Sequence, residues 1–299
     1  MARRRGNGGA FFSEIILLKN VEEMSMKITY YGTAAGEAWP GVFCACDLCR
    51  EARKLGGKNI RTRSQALIDD DLLLDLPPDN YLHTLYYGLD FQKVKALLVT
   101  HSHSDHCYPA DLELLREPYT HTYPGQMQVF GNDAVEKKVL AACHGLGGEK
   151  ERFLFHRIMP NETVCVGDYT VTALRATHAK EETCLFYRIE KCGKAVLYAH
   201  DTGALTEENL ATLHCFSTPL HLVSLDCTQQ SQRDGKYHMG LADAAEQKEI
   251  LLEEGLADQN TVFVVNHFSH NGGWLHEEIS GRAAGYGIIA SYDGMQISF

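Results

Sequence analysis

The chain has 299 residues, enough for one large domain or two small ones with a sizeable buried core. Its net charge is −11 with histidine neutral, and "MARRR" and "RTR" are its basic clusters, which argues against a nucleic-acid backbone as partner while leaving a small phosphate ester open. No apolar run approaches the roughly 20 residues of a membrane span.

The first residues, "MARRRGNGGAFFSEIILLKN", have a basic start, but Ser13, Glu14 and Lys19 interrupt the apolar part and no small-residue cleavage site follows, against a signal peptide. Met26 opens "MKITYYGTAAGE". Residues 1–25 are therefore expected to be an extension of little consequence, and 26–299 a single domain. With no signal peptide, ten cysteines point to a reducing, cytoplasmic setting in which specialised cysteines bind metal. Strands are predicted at 27–32, 64–69 and 72–75, with a cysteine-bearing loop over 33–63. A helix is predicted over 80–89, and "VKALLVT" (94–100) reads as a buried strand. A helix near 109–116, the strand "MQVFG" and a helix near 133–145 follow. Strands then dominate, in "ETVCVGDYTVTALRAT", a hairpin turning at Lys191–Gly193 and "LHLVSLDC". Helices near 206–214, 241–254 and 275–284 are interleaved with the strand "TVFVVNH". Both halves run strands then helices, which suits an α/β four-layer sandwich: two packed sheets with helices outside.

The chemistry begins directly after the strand at 94–100. "HSHSDH" crowds His101, His103, Asp105 and His106 into six positions of a loop. Imidazole and carboxylate at this spacing suit zinc, manganese or iron: the first two histidines can turn to one ion, and Asp105 with His106 to a second. Two ions need more ligands, and His178, His200, Asp201 and His267 each stand where an apolar strand ends. "GVFCACDLCREAR" adds Cys44, Cys46 and Cys49; three thiolates need a fourth ligand to close a structural zinc site, and His270, three residues after His267, can supply it.

Taken in order, Asp75, the His101/His103/Asp105/His106 cluster, His178, Asp201 and His267 resemble the metallo-β-lactamase superfamily over about residues 26 to 299. The resemblance implies one ion on His101, His103 and His178, another on Asp105, His106 and His267, Asp201 bridging them and Asp75 supporting the site from behind. Lactamases of the superfamily typically have cysteine where this chain has Asp201, so the match is with its hydrolases and phosphodiesterases. The cysteine knot with His270 is similar to the phosphoribosyl 1,2-cyclic phosphate phosphodiesterase group of the carbon–phosphorus lyase pathway, where such a knot binds a structural zinc. "RTRSQALIDDDLLLDLPPD" and "ASYDGMQISF" look similar too. His238, in "GKYHMGLADAAEQ", resembles a loop histidine that ribonuclease Z-like phosphodiesterases hold near the leaving group.

The expectation is a phosphodiesterase with two divalent active-site ions (zinc or manganese) and one structural zinc. Its substrate is a small cyclic phosphodiester, best 5-phosphoribosyl 1,2-cyclic phosphate. Asp105, Asp201 and His238 are the catalytic candidates, with His200 as second shell or alternative acid; the resemblance adds a homodimer. The rivals are a ribonuclease Z-like nuclease, a thioester or lactone hydrolase, and a non-enzymatic protein like PQQ biosynthesis protein B.

Overall fold

The structure is a computed structural model, describing residues 25–143 and 152–299. Residues 1–24 of the expected extension lie outside them. One sheet contains β1 (Lys27–Gly32), β2 (Gln65–Ile68), β3 (Leu72–Leu74), β4 (Ala96–Leu98), β5 (Met127–Gly131), β6 (Phe153–Arg157) and the C-terminal β14 (Met295–Ser298), in the order β14-β1-β2-β3-β4-β5-β6. The other contains β7 (Thr163–Val166), β8 (Tyr169–Arg175), β9 (Leu185–Lys191), β10 (Lys194–Ala199), β11 (Leu220–Asp226), β12 (Ala257–Asn266) and β13 (Ile289–Ala290), in the order β13-β12-β11-β10-β9-β8-β7. Both are mixed. Antiparallel pairing runs from β14 to β3 and from β7 to β10; parallel pairing runs from β3 to β6 and from β10 to β13.

The apolar runs have partners on both faces, as strands of a covered parallel sheet require. Leu72, Leu74, Ala96 and Leu98 pack between the sheets with Tyr187, Val196, Tyr198 and Leu222. Their neighbours Leu73 and Leu97 face outward, into a cluster with Val135 and Val139 of α4 (Asp133–Ala142). On the other side, Leu197, Val223 and Val265 pack with Leu213 of α5 (Glu207–Leu213), Leu251 of α6 (Leu241–Glu253) and Ile279 of α7 (His276–Ala284). Each such leucine contributes about 1.5–3 kcal/mol of burial, so the period-2 alternation holds both layers on each sheet. The result is the expected αββα sandwich.

Some boundaries differ from expectation. The loop 33–63 contains a helix, α1 (Asp47–Leu55), whose buried stripe is only Cys49 and Ala52, too narrow to read among charged neighbours. α2 (Asn80–Tyr87) falls where expected, whereas the helix near 109–116 contracts to α3 (Ala110–Glu113) and the strand at 94–100 to β4. β6, β13 and β14 were not anticipated; β14 exists by pairing with β1, a contact that spans the chain. Gly32 explains a shift in the β1–β2 register: a Cβ there would meet Arg63 O at 1.8 Å, so only glycine lets the cysteine-bearing segment pass this close.

Candidate metal centre

The sheets bring their strand ends to one rim, where α/β folds place ligands. β4 leads to His101, His103, Asp105 and His106; β8 leads to His178, β10 to Asp201 and β12 to His267. One ligand atom from each of His101, His103, His178 and Asp201 lies within 4.8 Å of the others, and the same holds for Asp105, His106, Asp201 and His267. Asp201 belongs to both groups, the arrangement expected of a bridging carboxylate. Its Oδ2 has His106 Nε2 at 3.2 Å, His101 Nε2 at 3.3 Å, His178 Nε2 at 3.4 Å and His267 Nε2 at 3.8 Å.

The surrounding partners decide what these rings present. Thr100 N–H and Oγ–H donate to Asp75 Oδ1 at 2.8 and 2.9 Å, leaving the Thr100 oxygen to accept from His101 Nδ1 at 3.0 Å. His106 Nδ1 donates to Asp75 Oδ2 at 2.7 Å. Thr228 Oγ–H donates to Asp226 Oδ2 at 2.9 Å, and the same oxygen accepts from His267 Nδ1 at 2.8 Å. With these protons on Nδ1, the neutral rings turn bare Nε2 lone pairs towards a carboxylate oxygen and, for His106 and His267, towards each other at 3.2 Å. Lone pairs facing lone pairs repel unless a cation lies among them. Buried His101 Nε2 and Asp201 Oδ1 have no hydrogen-bond partner, which is costly for polar atoms unless another species satisfies them. The residues fit divalent cations.

The electrostatics call for positive charge at the same atoms, supplied by a metal ion or by a proton on Nε2. Burial works against charge on Asp201, but His267, His101 and His106 outweigh it and hold its pKa well below the usual carboxylate range. Burial likewise opposes charge on His106, yet Asp75 and Asp105 raise its pKa well above the ordinary histidine value. The loop itself is pinned from both sides. Glu182 accepts from Ser102 N and Oγ and from Asn132 Nδ2, while Lys138 Nζ donates to Ser102 O at 2.7 Å and Cys107 O at 2.8 Å.

His238 reaches the same place. Its Nδ1 is 3.2 Å from Asp201 Oδ1 and 3.6 Å from Asp226 Oδ2, and it forms a third close group with Asp201, Asp226 and His267. Burial lowers its pKa, but Asp226, Asp201 and Asp234 together raise it to about 9. Of the two places expected for His200, behind the site or at the substrate, the structure gives the first. It is 1% exposed, its Nε2 meets Ser224 Oγ at 2.7 Å and its Nδ1 meets Asn266 Nδ2 at 3.2 Å, so it sits behind Asp201 as packing. The sequence does not single out Asp226 and Thr228, although Asp226 ends an apolar strand, the same signal that marks Asp201 and His267.

The cysteine cluster assembles separately. Cys44, Cys46, Cys49 and His270 bring their ligand atoms within 4.8 Å of one another, with His270 Nδ1 at 4.0 Å from Cys44 Sγ and 3.6 Å from Cys46 Sγ. Cys46 caps α1, its sulfur accepting from Cys49 N at 3.4 Å; this bond leads in lowering its pKa to about 6, whereas burial raises Cys49 to about 11.

No curated protein matches in sequence. Among solved structures, the chain is similar to a diphosphatase from the PhnP family (20% identity, 92% of this chain and 98% of that one, TM-score 0.71). It is also similar to zinc-bound PqqB from Methylobacterium extorquens (15%, 91% and 99%, TM-score 0.68) and to the short form of human tRNase Z (15%, 91% and 98%, TM-score 0.60). These likenesses establish the fold. A model described as "Beta-lactamase superfamily domain" matches residues 78–254, a span that includes His101 through His238 but stops before His267 and excludes Cys44, Cys46 and Cys49. With over half its length matched, and with these ligand groups on its strand ends, the chain belongs to the β-lactamase superfamily of metal-dependent hydrolases.

Proposed function

We propose that residues 26–299 form one catalytic domain, a dinuclear phosphodiesterase acting on a small cyclic phosphodiester, with 5-phosphoribosyl 1,2-cyclic phosphate the best candidate. His101, His103 and His178 would hold one ion and Asp105, His106 and His267 the other, with Asp201 shared between the two groups. Zinc or manganese suits this donor set. Cys44, Cys46, Cys49 and His270 hold one structural zinc. The observation that carries the reading is His238: a histidine outside the two ligand groups, its Nδ1 turned to the Asp201 and Asp226 carboxylates, at the edge of the site where a departing oxygen would stand.

Divalent ions, when bound, would supply water activation and positive charge for the phosphate. The chain does the rest. Asp201 fixes the spacing of the two ligand groups. Asp75, Thr100, Thr228 and Asp226 hold the tautomers that keep Nε2 of His106, His101 and His267 pointing inward. His238 donates a proton to the leaving oxygen, with Asp226 orienting its ring. A lactone or thioester hydrolase would share the ions without needing that proton donor, and a nuclease would need a basic track that a chain of charge −11 does not show in its sequence.

Acid catalysis matters when the departing oxygen is strongly basic. A nitrophenolate leaves without a proton, whereas a sugar alkoxide does not. His238→Ala is therefore expected to cost roughly 10²–10⁴-fold on a cyclic sugar phosphate and much less on bis(p-nitrophenyl) phosphate. Equal losses on both substrates would make His238 a binding or structural residue, and a wild-type enzyme that cleaves lactones but no phosphodiester would remove the reading altogether.

A further inference from the structure

A cleft of about 540 Å³ opens beside His178, and the reaction outlined above leaves most of its wall without a task. Its lining includes Arg175, Lys180, Glu181, Glu182 and Tyr237. Tyr237 immediately precedes His238, whose ring lies 5.0 Å from that of His178, so the half-buried tyrosine stands where the cleft meets the proposed proton donor. Two ammonium groups flank it: Lys236 Nζ is 5.1 Å and Lys180 Nζ 5.8 Å from the ring centroid. Both lysines are exposed, and among the described residues neither makes an ion pair. In a chain with 39 acidic and 28 basic residues, two lysines without ion pairs among the described residues here converge on one aromatic ring. The nearby Glu182 does not answer them, because its carboxylate is turned to Ser102 and Asn132. Glu181 shares the cleft, is exposed and offsets part of the positive charge, so an anion bound there gains most by carrying more than one charge.

We propose that Lys180, Lys236 and Tyr237 form an anion subsite that grips a second phosphate on the leaving-group half of the substrate, the ring supporting the sugar to which that phosphate is attached. In the substrate proposed above, these residues would read the 5-phosphate. The position follows from His238: the group that receives its proton is the sugar oxygen, so whatever else the sugar carries lies on the Tyr237 side. A doubly charged phosphate recruits two ammonium groups better than a carboxylate does, and flexible lysines act as point charges that tolerate its geometry.

The substrate assignment rests on the phosphodiesterase reading, but the subsite can be tested without it. Calorimetric titration of the metal-loaded protein with ribose 5-phosphate, and with ribose as control, is compared between wild type and Lys180→Ala/Lys236→Ala. The double variant is expected to bind ribose 5-phosphate about tenfold more weakly, with ribose affected equally little in both. In kinetics, the same variant is expected to lose about tenfold more kcat/KM on a 5-phosphorylated cyclic sugar phosphate than on its unphosphorylated counterpart, mainly through KM. Unchanged ribose 5-phosphate affinity in the variant would overturn the subsite, since the ligand would then be held by the metal centre. Weakening by Tyr237→Leu but not by the lysine changes would also overturn it, in favour of stacking alone. If the wild type hydrolyses no phosphodiester yet the lysines govern ribose 5-phosphate binding, the reaction is wrong and the subsite stands; hydrolysis with indifferent lysines is the reverse.

Discussion

Asp75, Asp201 and His267 all stand in left-handed backbone, at φ of 65°, 53° and 65°. Aspartate tolerates that region; histidine does so less often, and each such residue costs on the order of 1–3 kcal/mol. All three sit at strand exits, where the unusual turn folds the side chain back over the rim. The sequence shows the residues but not this backbone, which is why Asp75 could be assigned only a supporting part by resemblance. Gly36 was invisible for a similar reason. A Cβ there would lie 3.1 Å from Asp105 Oδ2, tight enough that the carboxylate must give by a few tenths of an ångström. Gly36→Ala is expected to weaken one of two metal-binding steps by about tenfold while leaving the other in place, read by metal titration; equal weakening of both steps would mean that Asp105 does not belong to one ion alone. His83 makes a different residue-scale point. It has no ligand pattern in the sequence and is indeed structural, with Nδ1 donating to Gln65 Oε1 at 2.5 Å and Nε2 at 2.8 Å from Thr62 Oγ1. Burial lowers its pKa to about 4, below the roughly 6.5 of an unfolded histidine, so folding favours the neutral ring. Its contribution is complete above pH about 6.5 and is lost as pH falls towards 4. The stability advantage of wild type over His83→Gln should shrink across that window by an amount on the order of 3 kcal/mol, measured by urea midpoints at each pH. A constant difference between pH 7 and 4 would show that His83 is not buried neutral.

At the scale of elements, the cysteine knot and α1 belong together. Cys46 is the N-cap and Cys49 stands three residues on, so one end of a short polar helix presents two sulfurs to one side, while Cys44 and His270 come from the preceding loop and from beyond β12. The C-x-C-x-x-C spacing was legible; the helix that sets it was not, because α1 buries only two residues and its charges hide them. A zinc here would tie the 33–63 segment to the end of the strand that also carries His267. Cys46→Ser isolates this tie, because serine remains a good N-cap while removing a thiolate ligand. The variant is expected to lose one tightly held zinc per chain and to melt lower by on the order of 5 °C or more, with most of its chemistry retained per folded, metal-loaded molecule. An unchanged melting temperature would show that the knot is not structural.

Across the whole molecule, the two sheets meet at the ligands. His101, His103, Asp105 and His106 follow a strand of one sheet; His178, Asp201 and His267 follow strands of the other. This is why the site was so readable: ligands at strand ends are local signals, each attached to an apolar run that the chain must bury anyway. The pairing of β14 with β1 and the convergence on Tyr237 are long-range consequences that no local window contains. The division of ligands between sheets also makes metal binding a matter of global stability. Ions that bind the folded state and not the unfolded one stabilise it by about 4 kcal/mol when free metal exceeds Kd a thousandfold. Removing them leaves Nε2 of His106 and of His267 3.2 Å apart across the seam between the sheets, with a proton in place of the ions. Mild chelation should therefore strip two exchangeable ions first, keep the cysteine-held zinc, and lower the unfolding temperature while speeding amide exchange along both β4 and β12. Returning metal should restore both strands together. Loss of all metal in one step would deny two separate sites, and protection that changed in β4 but not in β12 would place the ions on one sheet, against the bridge through Asp201.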